Sequence, residues 1–555
     1  MSKSTAEIRR AFSAEGYKVG KPVVYAGQRG FLAEHRTARH AGTQAPKRAI
    51  YVEGSAYEMG YLVGLMCEPD VWRMADEFVD KIIPMFISPK LEGVGYGLLI
   101  HVLQYLIRGW CRDSYARHPD DLPRPLVDEM RGITDGCKAA NSKSRVTYER
   151  VLALNVGVDC LVSALYTGMN LKEVLAASGS KAARIAGLPI FEPKPEHFQI
   201  PVMCNGFVAF GRATGDRNCY LGRDFQFPNA GVYDDTACLI IYNPTYKLSS
   251  SEPALPMVSQ SAPGFVGSVT AVNSAGVGIG VDMVPSGNCD PNRPGLNSVL
   301  MVRHAAHSGY GAQRVVDTMV EAQRGASWIY VVGDGANNQA VVVEAGMTTD
   351  KLDYLKYSPR NLKPLLPTGP FLASRRGLLD RWDGWKYPTQ YLDYNRKLFK
   401  HMRHPWIATQ FGDREYLNAN WKVGLNQGYY FAPQRESRPN LVVATNHYLI
   451  PEMRLCSMNE WCNIVTKSKI PDIQWRYDEL NRECLDAYGH IGAKARDIID
   501  FLSPVRPNAQ FQDYYGDSRI IEGSVSLCNL TERTIESHFG CYEDDWVKLT
   551  LPRYV

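Results

Sequence analysis

The spacing of apolar residues changes once, near Pro201, and that change constrains the fold more than any other feature. Ahead of it, Tyr57 to Glu68, Val71 to Phe86, Leu98 to Arg112, Pro125 to Ala140 and Tyr148 to Leu165 carry apolar residues at helical spacing. Strand-like alternation is scarce there, so the first 200 residues are expected to be mostly helical. Residues 169–199 are rich in Gly, Ala, Ser, Lys and Pro and read as an exposed linker. Behind it, C-N-G-F-V-A-F-G, a turn at Ala213 to Arg217, and C-Y-L-G-R-D-F-Q-F read as two paired strands. Further strands are expected around A-C-L-I-I-Y-N-P, within Met257 to Val284, in S-W-I-Y-V-V-G-D and Q-A-V-V-V-E-A-G, in N-L-V-V-A-T-N-H-Y-L-I, and in the C-terminal G-S-V-S-L-C-N-L and D-D-W-V-K-L-T-L. Helices are expected near Val299 to Gln323 and over Asp472 to Leu502. The aromatic, basic stretch from Lys351 to Ser437 lacks a clear period and reads as an insertion; its Trp382 to Tyr394 segment suits either a lid or a packing surface. A helical front part therefore precedes a layered α/β part.

A chain of 555 residues with 45% hydrophobic and 22% charged residues has ample material for a core and is not a disordered segment. Sixty-two basic against 58 acidic residues leave a net charge of +4, too balanced to imply a nucleic-acid partner. Thirteen cysteines, an odd number with no C-x-x-C pair, suit a reducing, cytoplasmic compartment better than a disulfide framework or a zinc site. The N-terminal M-S-K-S-T-A-E-I-R-R lacks the apolar core of a secretory signal. The apolar run from Gly93 to Ile107 contains His101 and Gln104 and falls short of the ~20 residues a spanning helix needs, so no integral membrane segment is expected.

Cys204 stands where the linker meets the first strand. Were the Met203-Cys204 bond cut, the thiol would sit beside its own α-amine, whose pKa near ~7.7–8 suits general-base work. One residue would then supply nucleophile and base. Eighteen residues on comes G-R-D-F-Q-F (Gly222 to Phe227), on the strand expected to pair with the first. That hairpin brings Arg223, Asp224 or Gln226 back beside Cys204, depending on the register of the pleat. A nearby arginine lowers a thiol pKa, and an acid or amide holds an amine.

Together, C-N-G-F, G-R-D-F-Q-F, V-N-S-A-G-V-G, A-T-N-H-Y and W-R-Y resemble, in this order, the N-terminal-nucleophile (Ntn) amide hydrolases with a cysteine nucleophile. The C45-type acyltransferases (isopenicillin N acyltransferase, β-alanyl-amine hydrolases) are closest, and choloylglycine hydrolases are more distant. Ile50 to Gly64, I-Y-V-E-G-S-A-Y-E-M-G-Y-L-V-G, is similar to the G-x-x-Y-E-x-G-x-x-x-G signature of C45 precursors. The resemblance implies a four-layer αββα fold behind a helical pro-segment, 1–203, with its linker at about 169–203, and a catalytic part, 204–555. It implies autocatalytic cleavage at Met203-Cys204. Cys204 would be the nucleophile, Arg223 its neighbouring arginine, and Arg476 a second arginine of the site. A backbone N–H near Asn273 and the side-chain amide of Asn446 would form the oxyanion hole. The family usually reads R-N-x-D where this chain reads R-D-F-Q. Gln226 thus stands where an aspartate contacts the nucleophile's amine, and either Asp224 takes that role or a neutral amide holds the amine. The implied substrate is a small N-acyl or acyl-thioester compound, hydrolysed or used for acyl transfer. No cofactor is implied, the processed subunits would stay associated, and a homo-oligomer is open.

Other readings compete. A phospholipase-B-like ester hydrolase shares the fold, and an unprocessed, non-catalytic binding protein fits Gln226. His447 could pair with a cysteine in a Cys-His hydrolase. His304 and His307 lie one turn apart, as metal ligands can, but no supporting carboxylate is obvious. G-D-G at Gly333 to Gly335 reads as a hairpin turn rather than a phosphate loop, and G-V-G-I-G at Gly276 to Gly280 as close strand packing rather than a dinucleotide site. Asn529-Leu530-Thr531 fits a glycosylation acceptor left idle without a secretory signal.

Overall fold

Strands from both sides of the expected linker build two sheets, seen in a computed structural model of the chain. The structure describes residues 5–85, 96–167, 203–227, 229–284, 286–352, 371–391, 393, 435–457, 472–500, 522–540 and 544–552. The expected linker, apart from Met203, and most of the expected insertion lie outside these residues.

The larger sheet has 11 strands among the described residues. Their order is β1 (Tyr17–Val19), β3 (Gln28–Arg39), β4 (Pro46–Gly54), β7 (Cys238–Pro244), β8 (Met257–Ser261), β9 (Thr270–Asn273), β10 (Val277–Met283), β11 (Trp328–Asp334), β12 (Gln339–Ala345) and β13 (Leu378–Trp382), with β2 (Val23–Tyr25) beside β3. The smaller sheet has six, ordered β14 (Leu441–Thr445), β5 (Met203–Gly211), β6 (Arg217–Phe227), β15 (Glu522–Asn529), β16 (Thr534–Gly540) and β17 (Val547–Thr550). The chain is a mixed α/β protein.

The expected scarcity of strands in the first 200 residues does not hold. Residues 17–54 form β1 to β4, and β4 pairs in parallel with β7, so the parts before and after the linker share one sheet. Beyond a short N-terminal helix, α1 (Thr5–Ala14), the helices ahead of the linker fall where the periodicity places them, as α2 (Ala56–Trp72), α4 (Tyr96–Arg117), α5 (Arg124–Ala140) and α6 (Tyr148–Tyr166). Val71 to Phe86 divides between the end of α2, a π-helical turn over Arg73–Phe78, and α3 (Val79–Met85). The two expected later helices each split in two. Ser298–Ser308 and Ala312–Glu321 are separated at Gly309 to Gly311, and Asp472–Asp486 and Ile491–Asp500 are separated at Gly489, whose φ is +94°.

The Ile50 to Gly64 signature has a plain local cause. β4 ends at Gly54, Ser55 caps α2, and the capping box closes through Glu58. Gly60 and Gly64 then press α2 against α5, where Gly132 and Gly136 return the contact. A Cβ on any of the four would lie within 2.2 Å of a backbone carbonyl oxygen of the facing helix.

β5 sets the site by alternation. Cys204, Val208 and Phe210 belong to the core shared with β10 and β11 of the larger sheet, while Phe207 and Ala209 belong to the core under the helices Asp472–Asp486 and Ile491–Asp500. The larger sheet is covered on its other side by helices that include α2 and Ser298–Ser308.

Candidate active site

The expected hairpin forms, with Cys204 opposite Phe225, Asn205 opposite Asp224, and Gly206 opposite Arg223. Opposed residues share a face, so the register divides the predicted residues. Cys204 and Arg223 face the larger sheet, whereas Asp224 and Gln226 lie with Asn205 on the face turned to the helix Asp472–Asp486.

Cys204 is fully buried, and its backbone N–H donates to Asn446 Oδ1 at 2.7 Å. Asn446 follows β14, the neighbour of β5, which carries the amide to the start of β5. Its Nδ2 donates to the Met283 carbonyl at 2.6 Å. Arg476, from Asp472–Asp486, reaches under the strand: Nη1 donates to Cys204 O at 2.9 Å and Asn205 Oδ1 at 2.7 Å, and Nη2 donates to Asn446 Oδ1 at 2.9 Å. Arg223 Nη1 donates to the carbonyls of Asn205, at 3.2 Å, and Asp224, and pairs with Asp282 Oδ1 of β10 at 3.0 Å. Both members of that pair are buried. Burial pushes the Cys204 thiol up from its ordinary range. Arg223 opposes this, Asp282 adds to it, and hydrogen bonds from the Asn446 side chain and the Met283 backbone N–H favour the thiolate.

Gln226 does not reach for the Cys204 nitrogen. Its Nε2 donates to Asp224 Oδ1, and Asn205 Nδ2 donates to Asp224 Oδ2 at 3.2 Å. Burial raises Asp224 to about 7 against the opposing pull of Gln226, Arg223 and Asn205. Of the two alternatives at position 226, neither Asp224 nor Gln226 holds the nitrogen; a neutral amide does, but it is Asn446.

Asn273 lies elsewhere. It closes the β9–β10 turn, accepting from the N–H groups of Ala275 and Val277, both at 3.0 Å, and donating to the carbonyls of Ala306 and Gly309 at 2.9 and 2.7 Å. The turn sits at the far end of β10 from Asp282, roughly 17 Å away at about 3.3 Å per residue. The backbone group that favours the Cys204 thiolate is that of Met283, and the thiol itself meets the Gln226 carbonyl at 3.9 Å. Sequence reasoning missed Met283 and Asp282. The available signal was an acid inside an otherwise apolar, glycine-rich strand, since a buried carboxylate needs a partner.

The competing histidines are engaged. His447 Nδ1 meets Thr445 Oγ1 at 3.0 Å, and its ring packs edge-on against Tyr477 of the outer helix. His307 accepts from Arg303 Nε at 2.6 Å and contacts Leu255 O at 2.8 Å. Among the described residues no group of three His, Cys, Asp or Glu side chains is placed to hold a metal ion. G-D-G is a hairpin turn in which Asp334 accepts from the N–H groups of Ala336 and Asn337. Among the described residues no helix is long and apolar enough to cross a membrane.

No protein-family model matches the chain. It is similar to an uncharacterized protein of Archaeoglobus fulgidus, 28% identical over 537 residues, covering 96% of this chain and 69% of the relative. Among solved structures it matches two variants of the conjugated bile acid hydrolase of Clostridium perfringens. One has a TM-score of 0.28 and 10% identity, covering 64% of this chain and 94% of that one. The other has a TM-score of 0.33 and 11% identity, covering 63% and 94%.

Proposed function

We propose that the chain is a self-processing Ntn cysteine amide hydrolase or acyltransferase in which Cys204 is the nucleophile. The observation that carries this reading is the hydrogen bond from the Cys204 nitrogen to Asn446 Oδ1, made while Arg223 acts on the sulfur from the other side. A structural cysteine at a strand start needs no side-chain acceptor for its nitrogen and no buried arginine. A nucleophile whose nitrogen becomes an amine needs both. The stacking of helices, two facing sheets and helices supports the αββα reading of the fold.

In the first event Cys204 Sγ attacks the Met203 carbonyl carbon. The C–N bond breaks, the acyl group moves to sulfur, and the nitrogen gains a proton to become an α-amine. Water then hydrolyses the thioester, leaving a Met203 carboxylate and a Cys204 thiol. In turnover the same thiol, with the α-amine as base, attacks the carbonyl of a small N-acyl compound or acyl thioester. The Met283 N–H and the Asn446 amide are the donors for the oxyanion. Release to water is hydrolysis, and release to an amine is acyl transfer. The two fragments stay together in this reading, because β4 remains paired with β7 and Glu129 of α5 with Arg303 at 2.9 Å.

The test is a panel of N-acylated amines, acyl thioesters and carboxylic esters, assayed with the wild-type chain and Cys204→Ala. Amide turnover lost in Cys204→Ala, with an acyl adduct on Cys204 in the wild type, is the expected result. Ester-only turnover would place the chain with phospholipase-B-like hydrolases, and amide turnover that survives Cys204→Ala would overturn the assignment.

A further inference from the structure

Self-cleavage poses a problem that turnover does not. Before the bond is cut, the Cys204 nitrogen is an amide and cannot take the thiol proton. Gln226 spends its side-chain amide on Asp224 across the strand from the sulfur, and only its backbone carbonyl meets the thiol, at 3.9 Å. A second carboxylate comes from the opposite sheet. Asp282 of β10 is fully buried and pairs with Arg223 Nη1 at 3.0 Å, and the carbonyl of the next residue, Met283, accepts at 2.6 Å from the Asn446 amide whose oxygen holds the Cys204 nitrogen. Beyond this ion pair neither Asp282 oxygen carries a hydrogen bond, so lone pairs remain for a proton.

We propose that Asp282 accepts the Cys204 thiol proton in the self-cleavage step. This rests on the reading of Cys204 as the nucleophile. The proton leaves sulfur for the Asp282 carboxylate, sulfur bonds to the Met203 carbonyl carbon, and the C–N bond breaks. The same proton then passes to the departing nitrogen. Throughout the first transfer Arg223, Asp282 and Cys204 keep the same net charge, so no charge is created in a site sealed from water. Arg223 from β6 meets Asp282 directly, the charges of Arg476 from Asp472–Asp486 and Arg381 from β13 act on it from further away, and its own charge acts on the Cys204 thiol of β5. Burial raises Asp282 while the three arginines oppose the rise, and burial raises the Cys204 thiol as well.

Gly280 supports the arrangement. A Cβ there would lie 2.6 Å from Arg223 Cδ, so glycine at this position leaves room for the guanidinium stem between the sheets and lets Asp282, two residues on, meet its head.

The experiment follows cleavage of the purified full chain by intact mass from pH 5 to 9, in the wild type, Cys204→Ala, Asp282→Asn and Asp282→Glu. The expected result is wild-type cleavage that depends on Cys204 and slows ~10²–10⁴-fold in Asp282→Asn. The residual rate in Asp282→Asn would climb about tenfold per pH unit, as hydroxide replaces the lost base, a change that a merely structural role would not produce. Cleavage in Asp282→Asn at the wild-type rate and pH profile overturns the Asp282 assignment and leaves the nucleophile standing. Cleavage that survives Cys204→Ala overturns the reading beneath it. Should Asp282→Asn fail to fold, judged by its melting, Asp282→Glu decides. A shift in rate of at least tenfold supports proton transfer, and an unchanged rate means that only the charge beside Arg223 matters.

Discussion

The Cys204 nitrogen donates to Asn446 Oδ1 at 2.7 Å, and the same oxygen accepts from Arg476 Nη2 at 2.9 Å. One neutral amide oxygen therefore holds the group that the proposed cleavage would turn into an α-amine, and an arginine fixes that oxygen in turn. An aspartate at this point would add a charge to a buried site that already contains Asp282 and Asp224. The amide avoids that cost while still accepting from the nitrogen.

Asn446→Ala removes this acceptor, the donor to Met283 O, and one of the two donors facing the sulfur. Self-cleavage should slow ~10²–10³-fold. Asn446→Asp keeps an oxygen for the nitrogen but loses the Nδ2–H and should slow comparably. Rates from intact-mass time courses check this, and a loss under tenfold for Asn446→Ala would show that its amide donates to nothing that develops charge.

Gly280→Ala tests the space between the sheets. The new methyl would lie 2.6 Å from Arg223 Cδ and 2.9 Å from Nε, so the guanidinium must leave its place beside Asp282. Cleavage should fall at least tenfold, with a loss of roughly 1–3 kcal/mol of stability from overpacking. A variant with wild-type cleavage would show that Arg223 does not need this position. The G-V-G-I-G run thus serves sheet-to-sheet packing, with Gly278 facing Leu530 and Leu221.

Asp159 sets a pH dependence of stability unconnected with the chemistry. Burial raises it to about 7, although Ser298 Oγ and Trp328 Nε1 donate to it at 2.7 and 2.8 Å. The unfolded chain releases this proton near pH ~3.9, whereas the folded chain keeps it to about 7. Between these values the folded state binds more protons, so stability falls as pH rises, by up to roughly 4 kcal/mol. Asp159→Asn should raise the urea midpoint relative to the wild type at pH 8 and leave it near the wild type at pH 4. An equal difference at both values would contradict the assignment.

Much of the site was legible because its residues sit in local words. Cys204 opens a strand after a linker, Arg223 lies on the next strand, and Asn446 and Arg476 stand in short motifs that the structure brings to one place. Asp282 and Met283 were not legible, because they arrive by the packing of one sheet on another, which no spacing along the chain encodes. Asn273 misled for a related reason: an N-x-x-G turn forms at either end of a hairpin, and here it forms at the end remote from Cys204. Residues 17–54 were read as helical surroundings because Gln28–Arg39 mixes charged and apolar residues without a clean alternation, and its buried positions follow from pairing with β4.

The most direct test is the intact mass of the purified chain after incubation, with Cys204→Ala alongside. The account predicts two fragments, residues 1–203 and 204–555, with Cys204 at the new N-terminus, and an uncut Cys204→Ala chain. A wild-type chain that stays whole while turning over substrate would contradict it.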